Sequence, residues 1–121
     1  MAAPQQRLGR RAEDATASWL TSRGWRVLEH RWRATAGELD LICLDPDGTL
    51  VGVEVKLRSA ARTGGPAEAL DGRRITRLRR TLAAYAALRR APASGLRIDL
   101  VSLVAVGDAW GLSLWRGIDQ W

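Results

Sequence analysis

Between residues 8 and 23, apolar side chains recur at Leu8, Ala12, Ala15, Trp19 and Leu20, the spacing of one helical face, and Gly24 supplies a stop. Glu13 sits at the edge of that stripe, roughly 100° round from Ala12, where it can look into a cleft beside the core. Residues 25–33 read as a first strand anchored by Val27, Leu28 and Trp32, and residues 34–37 break the pattern. Two more strands follow, E-L-D-L-I-C-L over 38–44 and L-V-G-V-E-V-K-L over 50–57. Gly64, Gly65 and Pro66 open a connection to a helix predicted over 73–90, with Ile75, Leu78, Leu82, Tyr85 and Ala86 on its buried face. Residues 91–95 end it; residues 96–106 form a strand, and Gly107-Asp108 turns into a last strand over 109–115. The order αβββαββ predicts an α/β fold, a mixed sheet with a helix on either side.

The link Asp45-Pro46-Asp47-Gly48-Thr49 suits a three-residue hairpin loop, with Pro46 second in a type I turn and Gly48 in the left-handed region. That loop fixes the register by pairing Asp45 with Thr49. Leu41 then meets Val53 and Leu39 meets Val55 on one apolar face. On the other, Asp40 lies across from Glu54 and Glu38 across from Lys56, with Gly52 leaving room there for a substrate backbone. Two acids with Cβ atoms about 5 Å apart repel unless a cation lies between them. A divalent ion such as Mg²⁺ is the economical choice, and Lys56, about 6.6 Å along the strand from Glu54, could orient a water or meet a phosphate oxygen.

Composition narrows the partner. The 121 residues hold 19 basic and 13 acidic side chains, a net charge of +6, which points to a polyanion. Lys56 is the only lysine among the basic residues, so it stands out against an arginine background. Arg73, Arg77 and Arg80 recur on the face of the second helix away from its apolar stripe, spaced to neutralise phosphates, and Arg7, Arg10 and Arg11 could add an N-terminal arm. Length and composition predict a single domain, 1–121. One cysteine excludes an intrachain disulfide and a multi-cysteine zinc site, and Cys43 fits a buried position. The apolar runs are too short to span a bilayer and no signal core follows the first residues, so no membrane and a cytoplasmic address are expected. His30 lacks a partner at ligand or triad spacing and reads as a surface residue. Of six tryptophans, Trp115 and Trp121 are the candidates for exposure and base stacking.

The motifs G-E-L-D-L-I and V-G-V-E-V-K-L-R, with L-G-R-R-A-E-D-A before them and G-G-P-A-E-A-L-D-G-R-R and L-R-I-D-L-V after, resemble the bacterial YraN-type family. That family is similar to the PD-(D/E)XK nucleases, whose restriction-endonuclease-like (tRNA-endonuclease-like) core also serves Holliday-junction resolvases. The resemblance implies that Asp40, Glu54 and Glu13 ligate Mg²⁺ (or Mn²⁺), with the Val55 carbonyl a further ligand and Lys56 the catalytic lysine. Glu38 would support Lys56 or contact substrate. Four positions depart from the family's pattern: Arg74 replaces a lysine, Gly52 a phenylalanine, Leu57 a threonine, and Arg31 an asparagine. Arg74 keeps the charge, placing it with Arg73, Arg77, Arg80, Arg10 and Arg11 as a nucleic-acid contact. The expectation is a nucleic-acid-binding protein, DNA ahead of RNA, acting as a Mg²⁺-dependent endonuclease and compatible with a homodimer. The alternatives are a non-catalytic binding module on the same fold and an oligomeric interaction protein.

Overall fold

The computed structural model describes residues 3–58, 71–89 and 95–120. The connection at Gly64, Gly65 and Pro66, the helix end at Arg90, residues 91–94 and Trp121 lie outside them. The elements are α1 (Pro4–Ser22), β1 (Arg26–Ala34), β2 (Gly37–Leu44), β3 (Leu50–Arg58), α2 (Gly72–Arg89), β4 (Leu96–Val106) and β5 (Ala109–Trp115), then a short 3₁₀ turn at Ile118–Gln120. Apart from that turn, this is the expected αβββαββ order. The five strands lie side by side in sequence order, β3 and β4 parallel and every other pair antiparallel. The parallel pair demands a crossover, and α2 lies within it.

Each helix covers one face of the sheet. Ala12, Thr16 and Leu20 of α1 are buried, and Ala12 and Leu20 pack with Leu41, Cys43, Val51, Val53, Val101 and Leu103. Leu78, Leu82 and Tyr85 of α2 pack with Leu39, Ile42, Leu50, Ile98 and Leu100. Buried hydroxyls are satisfied locally: Thr16 donates to the Ala12 carbonyl and Thr81 to that of Arg77, each at 2.8 Å. Asp71 caps α2 by accepting from the Arg74 N–H at 2.9 Å. Tyr85 ties α2 to β1, edge-on to Trp32 at 5.2 Å and donating to Glu29 at 3.2 Å. Cys43 is buried, which pushes its thiol up to about 12, and His30 is exposed. Trp25 is buried, Trp19, Trp32 and Trp110 are partly so, and Trp115 is exposed.

The hairpin has the predicted register, Leu41 opposite Val53 through Leu44 opposite Leu50. The Gly48 N–H donates to the Asp45 carbonyl at 3.0 Å with Gly48 at φ 84°, as the loop requires. The expected apolar face is not continuous, however. Leu39 packs on the α2 side and Leu41 on the α1 side, so alternation breaks at Asp40. On β1 the ladder runs through His30–Leu41 and Trp32–Leu39 but skips Arg31 and Asp40 between them. Arg31 has φ 49°, in the left-handed region that asparagine tolerates better than other non-glycine residues. That is a physical reason for the asparagine common in the resembling family.

Gly52 also departs from expectation. Rather than opening space for substrate, it is buried, and a Cβ there would lie 2.9 Å from Leu39 Cδ2 and 3.0 Å from Ile98 Cδ1. The room left by the missing side chain is filled from the core.

The hairpin end of the sheet carries a polar lock that sequence patterning does not announce. Arg97 donates twice to Asp99, at 2.8 and 3.0 Å, and once to Asp45 at 2.9 Å. Asp99 also accepts from the Gly117 N–H at 2.8 Å. Burial would raise the Asp45 carboxyl, but hydrogen bonds from Thr49, Arg97 and Asp47 hold it below the usual range. Asp119 in the 3₁₀ turn accepts from the Ile98 N–H at 3.0 Å and from Arg79 of α2 at 2.5 Å.

Two substitutions check this packing by urea denaturation. Gly52→Ala is expected to cost about 1–3 kcal/mol, because fully buried Leu39 and Ile98 must both give way to the added methyl. Asp99→Ala, which leaves Arg97 with Asp45 alone and the Gly117 N–H without its acceptor, is expected to cost roughly 3–5 kcal/mol. A G52A protein as stable as the wild type would show that Leu39 yields freely.

Candidate active site

The irregularity at Asp40 builds the site. Past Leu41 and Val53 the β2–β3 ladder stops. The Val55 N–H donates instead to Asp40 Oδ2 at 2.8 Å. A side-chain oxygen thus takes the place of a strand carbonyl, which holds the Asp40 carboxyl in the gap between the strands. Glu54, one residue back on β3, is 2% exposed and projects on the α2 side. The Glu54 carboxyl lies close enough to Asp40 to act on its titration.

Burial, the Glu54 hydrogen bond and the Glu54 charge push the Asp40 carboxyl from the ordinary 3.8 up to about 8, against the lowering effect of the Val55 N–H. Two acids set this close favour a positive charge between them. Their hard oxygens suit a divalent ion such as Mg²⁺, which Asp40 and Glu54 would hold.

Arg74 projects from α2 into the same site. Its Nε donates to Glu54 Oε2 at 3.0 Å, and its Nη2 contacts the same oxygen. The family's lysine position groups Arg74 with the phosphate-contacting arginines; here its guanidinium is on the buried acid instead. The signal was present, since Arg74 stands where the resembling family has lysine, but nothing in the spacing pointed it at Glu54.

The remaining candidates are dispersed. Glu13 is bound by Arg31, whose Nε donates to Oε1 at 2.6 Å. Among the described residues no group of three His, Cys, Asp or Glu side chains converges on a metal position. Glu38, expected opposite Lys56, instead pairs with Arg33 at 3.0 Å, since the β2–β3 ladder that would have set them together ends before it reaches them. Lys56 is exposed, two residues beyond Glu54, and no ion pair to it is found among the described residues. The side chain of Val55 is part-buried against the α1-side core.

Arg73, Arg77 and Arg80, with Asp71, Gly72 and Thr76, line an open groove of about 600 Å³ along α2. A second cleft of about 270 Å³ runs between the β1–β2 turn and α2; Glu38, Arg74 and Arg77 line it. Arg77 is common to both, and Arg74 in the smaller cleft is the residue that contacts Glu54. Arg10 and Arg11 are exposed on α1, the helix covering the opposite face of the sheet. No described helix is long and apolar enough to cross a membrane.

The raised Asp40 carboxyl gives a pH signature. The folded chain keeps on Asp40 a proton that the unfolded chain loses near pH 4, so stability falls as pH rises from about 4 to about 8. Asp40→Asn, which can accept from Val55, is expected to flatten that slope. Urea midpoints at pH 5 and pH 8 in a chelator check it, and equal slopes for both proteins would refute the raised carboxyl.

The comparisons agree with this arrangement of motifs. The family model described as "Uncharacterised protein family UPF0102" matches residues 12–103. A UPF0102 protein of Beutenbergia cavernae is 41% identical over 97 residues, 80% of this chain and 81% of its own. One from Nocardioides sp. is 42% identical over 103 residues (85% and 82%), and one from Frankia casuarinae 42% over 94 residues (78% and 79%). The matched span runs from α1 to β4 and takes in Glu13, Asp40, Glu54, Lys56 and Arg74. The YraN-type resemblance is thereby borne out, and the chain belongs to the uncharacterised protein family UPF0102.

Proposed function

We propose that this chain binds nucleic acid and hydrolyses its phosphodiester bonds as a Mg²⁺- or Mn²⁺-dependent endonuclease of the PD-(D/E)XK type. The observation that carries the reading is the Asp40–Glu54 pair, with part-buried Asp40 held by the Val55 N–H beside buried Glu54 and near exposed Lys56. A stable sheet gains nothing from two adjacent acids. Asp40 and Glu54 would hold the ion, with the Val55 carbonyl as the further ligand that the resemblance implies. When bound, such an ion polarises a phosphoryl oxygen and lowers the pKa of a water.

The chain's own residues do the rest. Arg73, Arg77 and Arg80 neutralise backbone phosphates along the α2 groove and fix the strand over the site. Lys56, exposed two residues beyond Glu54, meets charge developing on the reacting phosphate. Arg77, at the junction of groove and cleft, passes the backbone from one to the other.

A second reading, a binding module that does not cut, is favoured by two contacts: Arg74 on Glu54 and Arg31 on Glu13. Both acids are then structural, and the arginine groove carries the function.

A cleavage assay separates the two. Branched, flapped and linear DNA and structured RNA are incubated with Mn²⁺ and the wild type, Lys56→Ala or Glu54→Gln. The endonuclease reading expects metal-dependent products that fall at least about 100-fold in either variant, the scale of one lost catalytic group. It also expects Arg77→Ala to weaken substrate binding with a shallower salt dependence. Binding without any product, and unaffected by K56A, would establish the module instead.

A further inference from the structure

We propose that Arg74 is the resident counter-cation of Glu54, one that a divalent ion displaces and that then transfers to a substrate phosphate. The inference rests on the reading of Asp40 and Glu54 as metal ligands and deepens it by coupling metal loading to phosphate binding. Arg74 would be a positioning residue, not a reacting one.

Three observations carry it. Both contacting nitrogens of Arg74 fall on one oxygen of Glu54, whose other neighbour is the Asp40 carboxyl. A divalent ion and a guanidinium therefore seek the same lone pairs, and each weakens the other's hold. Next, the two partners are unequally held: the Glu54 side chain is 3% exposed, whereas that of Arg74 is 50% exposed. The acid is fixed by the sheet, while the arginine reaches in from the first turn of α2 and can leave by rotation of its own bonds. Lastly, the space it leaves into is already defined. Arg74 and Arg77 line one cleft, and Arg77 also lines the groove formed with Arg73 and Arg80. A guanidinium released from Glu54 would join these three arginines, where a planar two-pronged donor suits a phosphate oxygen pair.

A merely structural pair predicts that removing Arg74 leaves metal affinity unchanged or lowered, through loss of order at Glu54. A competing counter-cation predicts the reverse. By reciprocity, phosphate that draws Arg74 away must tighten metal binding in the wild type.

The experiment measures Mn²⁺ binding by the paramagnetic resonance of the free ion, on the full chain, for the wild type, Arg74→Ala and Arg74→Gln. Glu54→Gln serves as the control that removes the ligand. Thermal melts establish which variants are folded. The expected result is Mn²⁺ affinity about tenfold or more higher in R74A and R74Q, the order of one charge-assisted hydrogen bond. A short oligothymidylate is expected to raise wild-type Mn²⁺ affinity and to leave that of R74Q unchanged. If R74A does not fold, R74Q and the wild-type oligonucleotide linkage still decide the matter. Equal Mn²⁺ affinity in wild type and variants, with no oligonucleotide effect, overturns the proposal and leaves the metal site standing. No Mn²⁺ binding by any folded protein, including one lacking Arg74, overturns both.

Discussion

One hydrogen bond organises this molecule, the Val55 N–H donating to Asp40 rather than to a carbonyl of the neighbouring strand. A buried strand N–H must find an acceptor, and here a side chain supplies it. The substitution has three effects at once. The β2–β3 ladder ends at Leu41 and Val53. Leu39 turns to the α2 side, while Leu41 stays on the α1 side. The Asp40 carboxyl is drawn between the strands and against Glu54. The site is thus a designed fault in a sheet, and the same fault explains the unusual backbone of Arg31, which lies between paired residues on the adjoining strand.

The fault also separates stability from reactivity. At the hairpin end Asp45, Arg97 and Asp99 form a buried network with every visible demand met. At the Asp40–Glu54 end two acids crowd together, and Glu54 leans on a half-exposed arginine. A fold can tolerate such an unfavourable pair when packing elsewhere over-determines its position. Here the core on both faces of β3 and the polar lock beyond it supply that surplus.

The fold was legible because its signals are local. Helical spacing of Leu78, Leu82 and Tyr85, the aliphatic richness of β4, the Gly107–Asp108 turn into β5 and the Pro46–Gly48 loop each set an element or a register with little help from tertiary context. The loop's register also brought Asp40 near Glu54, though as side-chain neighbours beyond the end of the ladder and not as the ladder pair expected. What could not be read were outcomes decided by one side chain choosing among several partners. Glu38 took Arg33 and not Lys56, Glu13 took Arg31, and Arg74 took Glu54. Gly52 misled for a related reason: a missing side chain announces a space but not what fills it, and here Leu39 does. Arg97 and Asp99 lie inside a strand whose apolar neighbours hide them, so their role as a lock emerges only when Asp45 is brought alongside.

The anchoring of α2 bears on speed. Arg79 joins it to Asp119 at the 3₁₀ turn, Tyr85 joins it to Glu29 and Trp32 of β1, and Leu78 and Leu82 are sunk in the core. A helix pinned at its middle and far end does not swing as a lid. Whatever happens at Glu54 is therefore confined to rotation of one long side chain, an event of picoseconds to nanoseconds rather than of micro- to milliseconds. A site built this way responds to its ligands without a clock of its own: encounter, not closure, sets its pace.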